Sequence, residues 1–206
     1  MTRYEFASLT VQMGTAGKAL AGMEQYFKAN AGKGKLFAVW SAEIGMALNQ
    51  FLIVRGFDSS DAMHDERQRM LESGDLFGVS DCVANLSFEA FQPFPFFPPL
   101  QAGSFGTIYE VRYYGIKPTG IRPVLSAWEA ALPERLKLSK ILLAGYALDG
   151  VTPRMVHICP YNGVDERTRI RGDAVAAGIW PPKGGPDWLT TMQVWIYNPT
   201  KFSPLR

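Results

Sequence analysis

Hydrophobic and polar residues alternate along Arg3–Val11, the period of a strand, and Gly14 closes the run. From about Thr15 to Asn30 the spacing changes to three and four. Ala19, Leu20, Met23, Tyr26 and Phe27 then share one helix face, until Gly32-Lys33-Gly34 stops it. Leu36–Trp40 predicts a second strand, Glu43-Ile44-Gly45-Met46 a turn, and Leu48–Phe57 a third strand. Asp58-Ser59-Ser60-Asp61 supplies N-cap residue types and opens a second helix running to about Ser73, and Val83–Ala90 closes the series as a fourth strand. The order βαββαβ is the split-βαβ, ferredoxin-like arrangement: an antiparallel sheet with both helices on one face.

The same order returns in the second half. Ile108–Ile116 is a strand ended by Lys117-Pro118-Thr119-Gly120, and the helix after it carries Ile121, Val124, Leu125, Trp128 and Leu132 on one face. Pro133 is expected to kink or restart that helix. Lys140–Tyr146 and Arg154–Tyr161 are strands, Asn162-Gly163-Val164-Asp165 opens the second helix, and Thr190–Tyr197 is the last strand. Tyr109-Glu110 repeats Tyr4-Glu5 at an offset of 105, and the helix-opening tetrapeptides repeat at 104, which marks a tandem duplication. Gly178–Pro186 reads as an extra loop without a first-half counterpart, placed to cover a pocket mouth. Phe91–Leu100 holds four prolines, which suits an extended linker whose phenylalanines cover neighbouring surface rather than a helix or central strand. The expected division is a first domain over 1–90, a Pro/Phe-rich linker over 91–103 and a second domain over 104–206.

Composition narrows the function classes. Each half of the 206 residues has the usual size of a small domain, and 47% hydrophobic against 19% charged residues is the balance of packed cores. A net charge of +2, from 21 basic and 19 acidic residues, argues against a dedicated nucleic-acid surface. Cys82 and Cys159 are too few and too far apart for a disulfide framework or thiolate metal cluster, and read as inert buried thiols. His64 lies in a charged, solvated helix and His157 in the other half, so no metal site is expected. No apolar run approaches the ~20 residues that span a bilayer. With no signal region ahead of the first strand, a cytoplasmic protein is the expectation. Gly14–Gly17 and Gly32–Gly34 lack the ending of a phosphate loop, a Gly-x-Ser-x-Gly nucleophile is missing, and no cofactor is expected.

Tyr109-Glu-Val-Arg-Tyr-Tyr-Gly-Ile-Lys-Pro-Thr-Gly120 closely resembles the opening strand of the NIPSNAP domain, and Pro160-Tyr-Asn-Gly-Val-Asp-Glu-Arg167, with Arg169, Arg171 and Trp188, resembles its later part. Glu43-Ile-Gly-Met-Ala-Leu-Asn-Gln50, followed by Phe57, Asp58 and Ser59, is similar to the family's central strand-turn-strand segment. The first half departs with Phe6-Ala7-Ser8 in its opening strand, and the second carries Leu148-Asp149-Gly150 where Glu-Ile-Gly would stand. The resemblance implies a dimeric α+β barrel. With both sheets on one chain, two tandem ferredoxin-like domains would form an intrachain pseudo-dimeric α+β barrel, and a homodimer of the tandem chain is a further expectation. The superfamily so implied includes cofactor-free monooxygenases, chlorite dismutases and dye-decolouring peroxidases, while NIPSNAP members have no firmly assigned activity.

Strand alternation also sorts the two sheet faces. Leu52, Val54, Val156 and Ile158 form a purely apolar face expected to pack on the helices. The opposite face is then the barrel interior, with Glu5, Arg55, Glu89, Glu110, Arg112 and His157 directed inward among aromatic walls. Aromatic walls with a few convergent charges make a small-molecule pocket. The expected ligand-binding set is Arg55, Glu110, Arg112, Tyr114, His157, Tyr161 and Trp195, with His157, Glu110 and Arg112 as candidates for catalysis. The competing reading is that these charges pair only with one another. His157 is a candidate base or axial haem ligand against the commoner role of hydrogen-bonded scaffold. The arginines of Asp165–Arg171 make a solvated face, an oligomer contact or an anion patch. Two functions follow. One is small-molecule binding in the barrel or a helix–sheet cleft, extending to a cofactor-independent enzyme of the monooxygenase-like type. The other is a protein-interaction module using the linker, the arginine helix and exposed strands.

Overall fold

Strand β1 (Arg3–Val11) buries Tyr4 and Phe6 on one side and Glu5, Ala7 and Leu9 on the other. A strand buried on both faces needs a layer on each side, and a closed barrel with helices around it supplies both. The computed structural model describes residues 3–206 and shows that arrangement. The first copy runs β1, α1 (Ala16–Lys28), β2 (Lys35–Ile44), β3 (Gln50–Phe57), α2 (Ser60–Ser73) and β4 (Val83–Pro93). The second runs β5 (Ile108–Ile116), α3 (Ile121–Leu138), β6 (Leu143–Ala147), β7 (Arg154–Tyr161), α4 (Val164–Ala176) and β8 (Leu189–Pro199).

The eight strands close in the order β1-β3-β2-β8-β5-β7-β6-β4. Each copy keeps the ferredoxin-like order, its fourth strand beside its first and its second at the far edge. The edges of the two sheets join antiparallel: β2 to β8 through pairs such as Ala42↔Tyr197, and β4 to β6 through Phe91↔Ala147 and Pro93↔Gly145. Closure removes the edge strands that an open sheet would expose.

Cross-copy pairing also explains where elements outrun the sequence reading. Strand β2 continues through Glu43 and Ile44, the expected turn, because Ile44 pairs with Ile196 of β8. The turn follows at Gly45 (φ +102), where a Cβ would stand 2.7 Å from the Val194 carbonyl oxygen. Strand β4 likewise runs three residues into the proline-rich stretch, and the chain leaves the sheet at Pro93. Beyond it, Phe94 and Phe97 are buried in the second copy's core, and Leu100 enters the barrel core with its N–H donated to the Tyr4 hydroxyl at 2.8 Å. Helix α3 continues through Pro133 without a restart.

The assignment of faces is the main correction. Leu52, Val54, Val156 and Ile158 point into the barrel, where they pack with Tyr4, Phe6, Trp40, Tyr109, Tyr113 and Tyr197. Trp40 stacks on Tyr109 at 4.4 Å and donates its indole N–H to the Leu205 carbonyl at 2.9 Å. Glu5, Arg55, Glu110, Arg112, Tyr114, His157 and Tyr161 lie on the other face, under the helices; of the expected inward set, Glu89 and Trp195 are on the barrel side. The physical reason is access. A barrel closed all round is the driest volume in the fold and takes apolar and aromatic side chains. The helix–sheet layer borders solvent along the helices, so arginines on α2 and α4 reach in to pair with buried carboxylates.

Candidate functional site

The duplication allows the two helix–sheet layers to be compared position by position. In the first copy the paired residues beneath the helices are Glu5↔Arg55, Ala7↔Ile53 and Leu9↔Phe51. In the second they are Glu110↔Cys159, Arg112↔His157 and Tyr114↔Met155. The helices change in step: Met23 and Met70, buried in the first copy, correspond by the sequence offset to Trp128 and Ala174.

The first layer is closed. Ala7, Leu9, Ile53, Met23, Met70 and Phe77 form one buried cluster. At its end Arg55 donates to Glu5 Oε1 from Nε at 2.9 Å and from Nη2 at 2.5 Å, and its Nη1 reaches Glu66 Oε1 at 3.3 Å. Arg67 Nε donates to Glu5 Oε2 at 2.7 Å, and Arg69 bonds both oxygens of Glu66 at 2.8 Å. Arg55, expected to bind ligand, is therefore held on several sides by its own chain, which is the competing structural reading.

The second layer is open. Arg112 and Tyr114 on β5, Trp128 and Arg135 on α3, and Arg171 on α4 line a cleft of about 310 Å³. Trp180 and Pro181, Pro182 and Pro186 cover it from the loop after α4. That loop has a first-copy counterpart, contrary to the sequence reading. Gly74 and Gly178 both end the second helix with left-handed backbone (φ +67 and +65), and short 3₁₀ turns at Ser80–Cys82 and Pro186–Trp188 follow. Here the loop is longer and stands over the cleft. Its Trp180 ring meets Trp128 edge-on at 4.7 Å, with the Arg135 guanidinium 5.8 Å from its centroid.

Arg135 was not singled out from the sequence, although a signal was present. It follows Val124, Trp128 and Leu132 on the apolar stripe of α3, where an apolar residue would be expected. It also lies on a stretch of α3 that the shorter α1 lacks. Its Nη1 donates to the carbonyl (3.1 Å) and hydroxyl (2.9 Å) of Ser139. Glu110 accepts from Arg112 Nη1 at 2.9 Å and from Arg167 Nε at 2.6 Å on one oxygen. The other, buried without a hydrogen bond, is 3.9 Å from Arg171. Arg112 Nε donates to the Tyr114 hydroxyl. Burial raises the Tyr114 phenol despite the opposing Arg112 charge, so Tyr114 stays protonated at neutral pH.

His157 lies behind Tyr114 and Trp128, with ring centroids 5.2 and 4.9 Å away, and does not line the cleft. Burial first, then Arg112, Arg171 and Arg135, hold its imidazole well below the usual histidine range. A depressed folded pKa stabilises the fold above the unfolded value near 6.5 and loses that contribution as pH falls. Chemical unfolding between pH 7 and 5 should therefore show wild-type stability declining by up to about 1.4 kcal/mol per pH unit relative to His157→Ile. Equal slopes would contradict the neutral imidazole. Tyr161, deeper in the layer, has a buried hydroxyl without a hydrogen-bond partner, and Trp195 stays on the barrel side against Tyr113.

Cys159 lies beneath this layer, its thiol pushed up to about 11 by burial and by Glu110. Neither Cys159 nor buried Cys82 should react with Ellman's reagent at pH 8 until the protein is unfolded. Fast native labelling of either would contradict that. Among the described residues no cluster of side chains could hold a metal ion, and no helix is long and apolar enough to cross a membrane.

Comparison with known proteins places this architecture. A family model described as NIPSNAP matches residues 4–88 and 109–204. No curated protein matches the sequence. A "putative monooxygenase" from Lactobacillus acidophilus NCFM superposes with a TM-score of 0.71 at 9% identity, over 97% of this chain and 94% of that one. An "anthrone oxidase-like protein" gives 0.68 at 10% identity, over 97% and 91%. A NIPSNAP family protein of unknown function from Agrobacterium tumefaciens is 25% identical over 52% of this chain and 100% of its own, with a TM-score of 0.45. The two full-length likenesses show a shared fold.

Proposed function

The chain belongs to the NIPSNAP family, and from that premise we propose that it binds a small organic molecule in the helix–sheet cleft of its second copy, the first copy serving as the closed half of the barrel. The observation that carries this reading is the paired replacement of Ala7, Ile53 and Leu9 by Arg112, His157 and Tyr114 at matching positions. A packed layer becomes one with an aromatic, arginine-lined space. Filling those three positions with apolar side chains is the stable default, as the first copy illustrates, and polar residues there are costly unless they are paired within the chain or meet a ligand.

Cofactor-independent oxygenation is the reaction class to assay first, since full-length fold neighbours carry monooxygenase and anthrone oxidase-like names. In such a reaction Tyr114 and Arg112 would touch the substrate, while His157 would support them from behind. A docking role loses its best surface, because Phe94, Phe97 and Leu100 of the proline-rich segment are buried in this chain.

Native mass spectrometry of freshly purified protein tests the binding reading. The expected result is a small-molecule mass excess lost on denaturation, or a raised melting temperature with members of an aromatic acid and phenol panel. A clean mass with no stabilising compound would count against it.

A further inference from the structure

We propose that the occupant of this cleft is an organic anion: a carboxylate or comparable oxygen acid at one end, held by Arg135 with Arg112 and Arg171, and a flat apolar body of one or two rings at the other. The proposal rests on the small-molecule reading above and adds the charge and shape of the ligand.

The argument begins with Arg135, which is 2% exposed. Its hydrogen-bond partners are the carbonyl and hydroxyl of Ser139, both neutral, and among the described residues no carboxylate lies within ion-pair distance of it. A guanidinium taken out of water needs a counter-charge as well as hydrogen bonds. Nothing in the fold forces an arginine here, since the corresponding first helix has already ended.

Its surroundings deepen the deficit. Arg112, Arg167 and Arg171 all turn toward one carboxylate, Glu110, and Arg167 already holds it at 2.5 Å. Three guanidinium groups thus share one acid while Arg135 has none within reach, and the neighbouring His157 is neutral. The first copy's layer shows the alternative: Glu5 and Glu66, with Asp149 from the turn after β6, answer Arg55, Arg67 and Arg69. The second copy has lost the counterpart of Glu66, since Ile170 stands at that helix position by the offset of 104. The missing negative charge is assigned to the ligand. Arginine's planar fork suits a carboxylate, which it can hold through two parallel hydrogen bonds.

Shape follows from the rest of the lining. Val124, Trp128, Trp180, Leu189 and Met192 offer apolar and aromatic surface beside the arginines. About 310 Å³ is at the small end of ligand pockets, which suits one or two rings rather than a nucleotide.

The test is calorimetric titration of the whole chain with 2-naphthoate and with its uncharged isostere 2-naphthamide, at constant ionic strength. The naphthoate should bind at least tenfold more tightly. Arg135→Gln should remove that advantage while leaving naphthamide affinity within threefold, and Arg135→Lys should restore part of it. If Arg135→Gln does not fold, Arg171→Gln, on a partly exposed side chain, should weaken naphthoate selectively. Equal affinities for both compounds, or an advantage that survives in the folded variants, would overturn the anion proposal and leave small-molecule binding standing. Binding of neither compound would overturn the anion proposal and count against the cleft reading with it.

Discussion

Arg55→Ala is expected to cost about 3 kcal/mol or more of folding stability, the range for breaking a buried ion pair from one side. Arg55 is 1% exposed and bonds Glu5, Glu66 and the Lys33 carbonyl, while its guanidinium lies 5.2 Å and 4.9 Å from the ring centroids of Phe57 and Phe77. Removing it leaves two carboxylates under the helices with only Arg67 and Arg69 to answer them, together with a cavity among aromatic rings. Arg69, at the rim, is the internal comparison. Its side chain is 35% exposed, so water can partly take its place beside buried Glu66, and Arg69→Ala should cost clearly less than Arg55→Ala. Urea unfolding at pH 7 reads both. Similar small losses would mean that the first layer is wetter than its burial indicates.

The second large effect concerns binding. Arg112→Ala, Tyr114→Leu and His157→Ile together place the first copy's residues in the second copy's layer. This triple variant should lose at least about a hundredfold in affinity for any cleft ligand, which at 1.4 kcal/mol per factor of ten is close to 3 kcal/mol. Folding stability should change far less. His157→Ile removes a buried imidazole nitrogen that has no hydrogen-bond partner, which is favourable. Arg112→Ala leaves Glu110 paired with Arg167 and opens some space. Calorimetry paired with urea unfolding separates the two quantities. A variant that binds as before would show that the ligand sits elsewhere; a variant that unfolds would show that these residues hold the fold.

Much of this architecture was legible in the sequence. Strand-like runs marked the strands, three-to-four spacing marked α1 and α3, helix-opening tetrapeptides marked α2 and α4, and the repeats at 104 and 105 exposed the duplication, because the element signals are local. Which face of each strand enters the barrel was not legible. Both faces are buried, so alternation separates two sets without saying which set meets helices, and the rule that apolar faces pack on helices gave the reversed answer. Barrel closure also lengthened β2 and β4 through pairings with the other copy, which no local pattern reveals. At the site, Arg112, Tyr114 and His157 were found as a cluster because they alternate on neighbouring strands. Arg171 read as part of an arginine run open to three roles, a solvated face, an oligomer contact or an anion patch, and Arg135 needed the boundaries of α3 to show it on a buried stripe. The separation of Arg55 from Arg112 into a sealed layer and an open one depends on α-helical side chains and loop length, which strand pattern does not encode.

The central claim is that one copy carries a ligand cleft and its twin is packed shut. Crystals grown with 6-bromo-2-naphthoate, measured at the bromine absorption edge, test it most directly. The predicted result is one bromine peak per chain among Trp128, Trp180 and Met192, with the carboxylate against Arg135 and no peak beside Phe77 in the first copy. A peak inside the barrel or in the first copy's layer, or an empty second-copy cleft at saturating ligand, would contradict it.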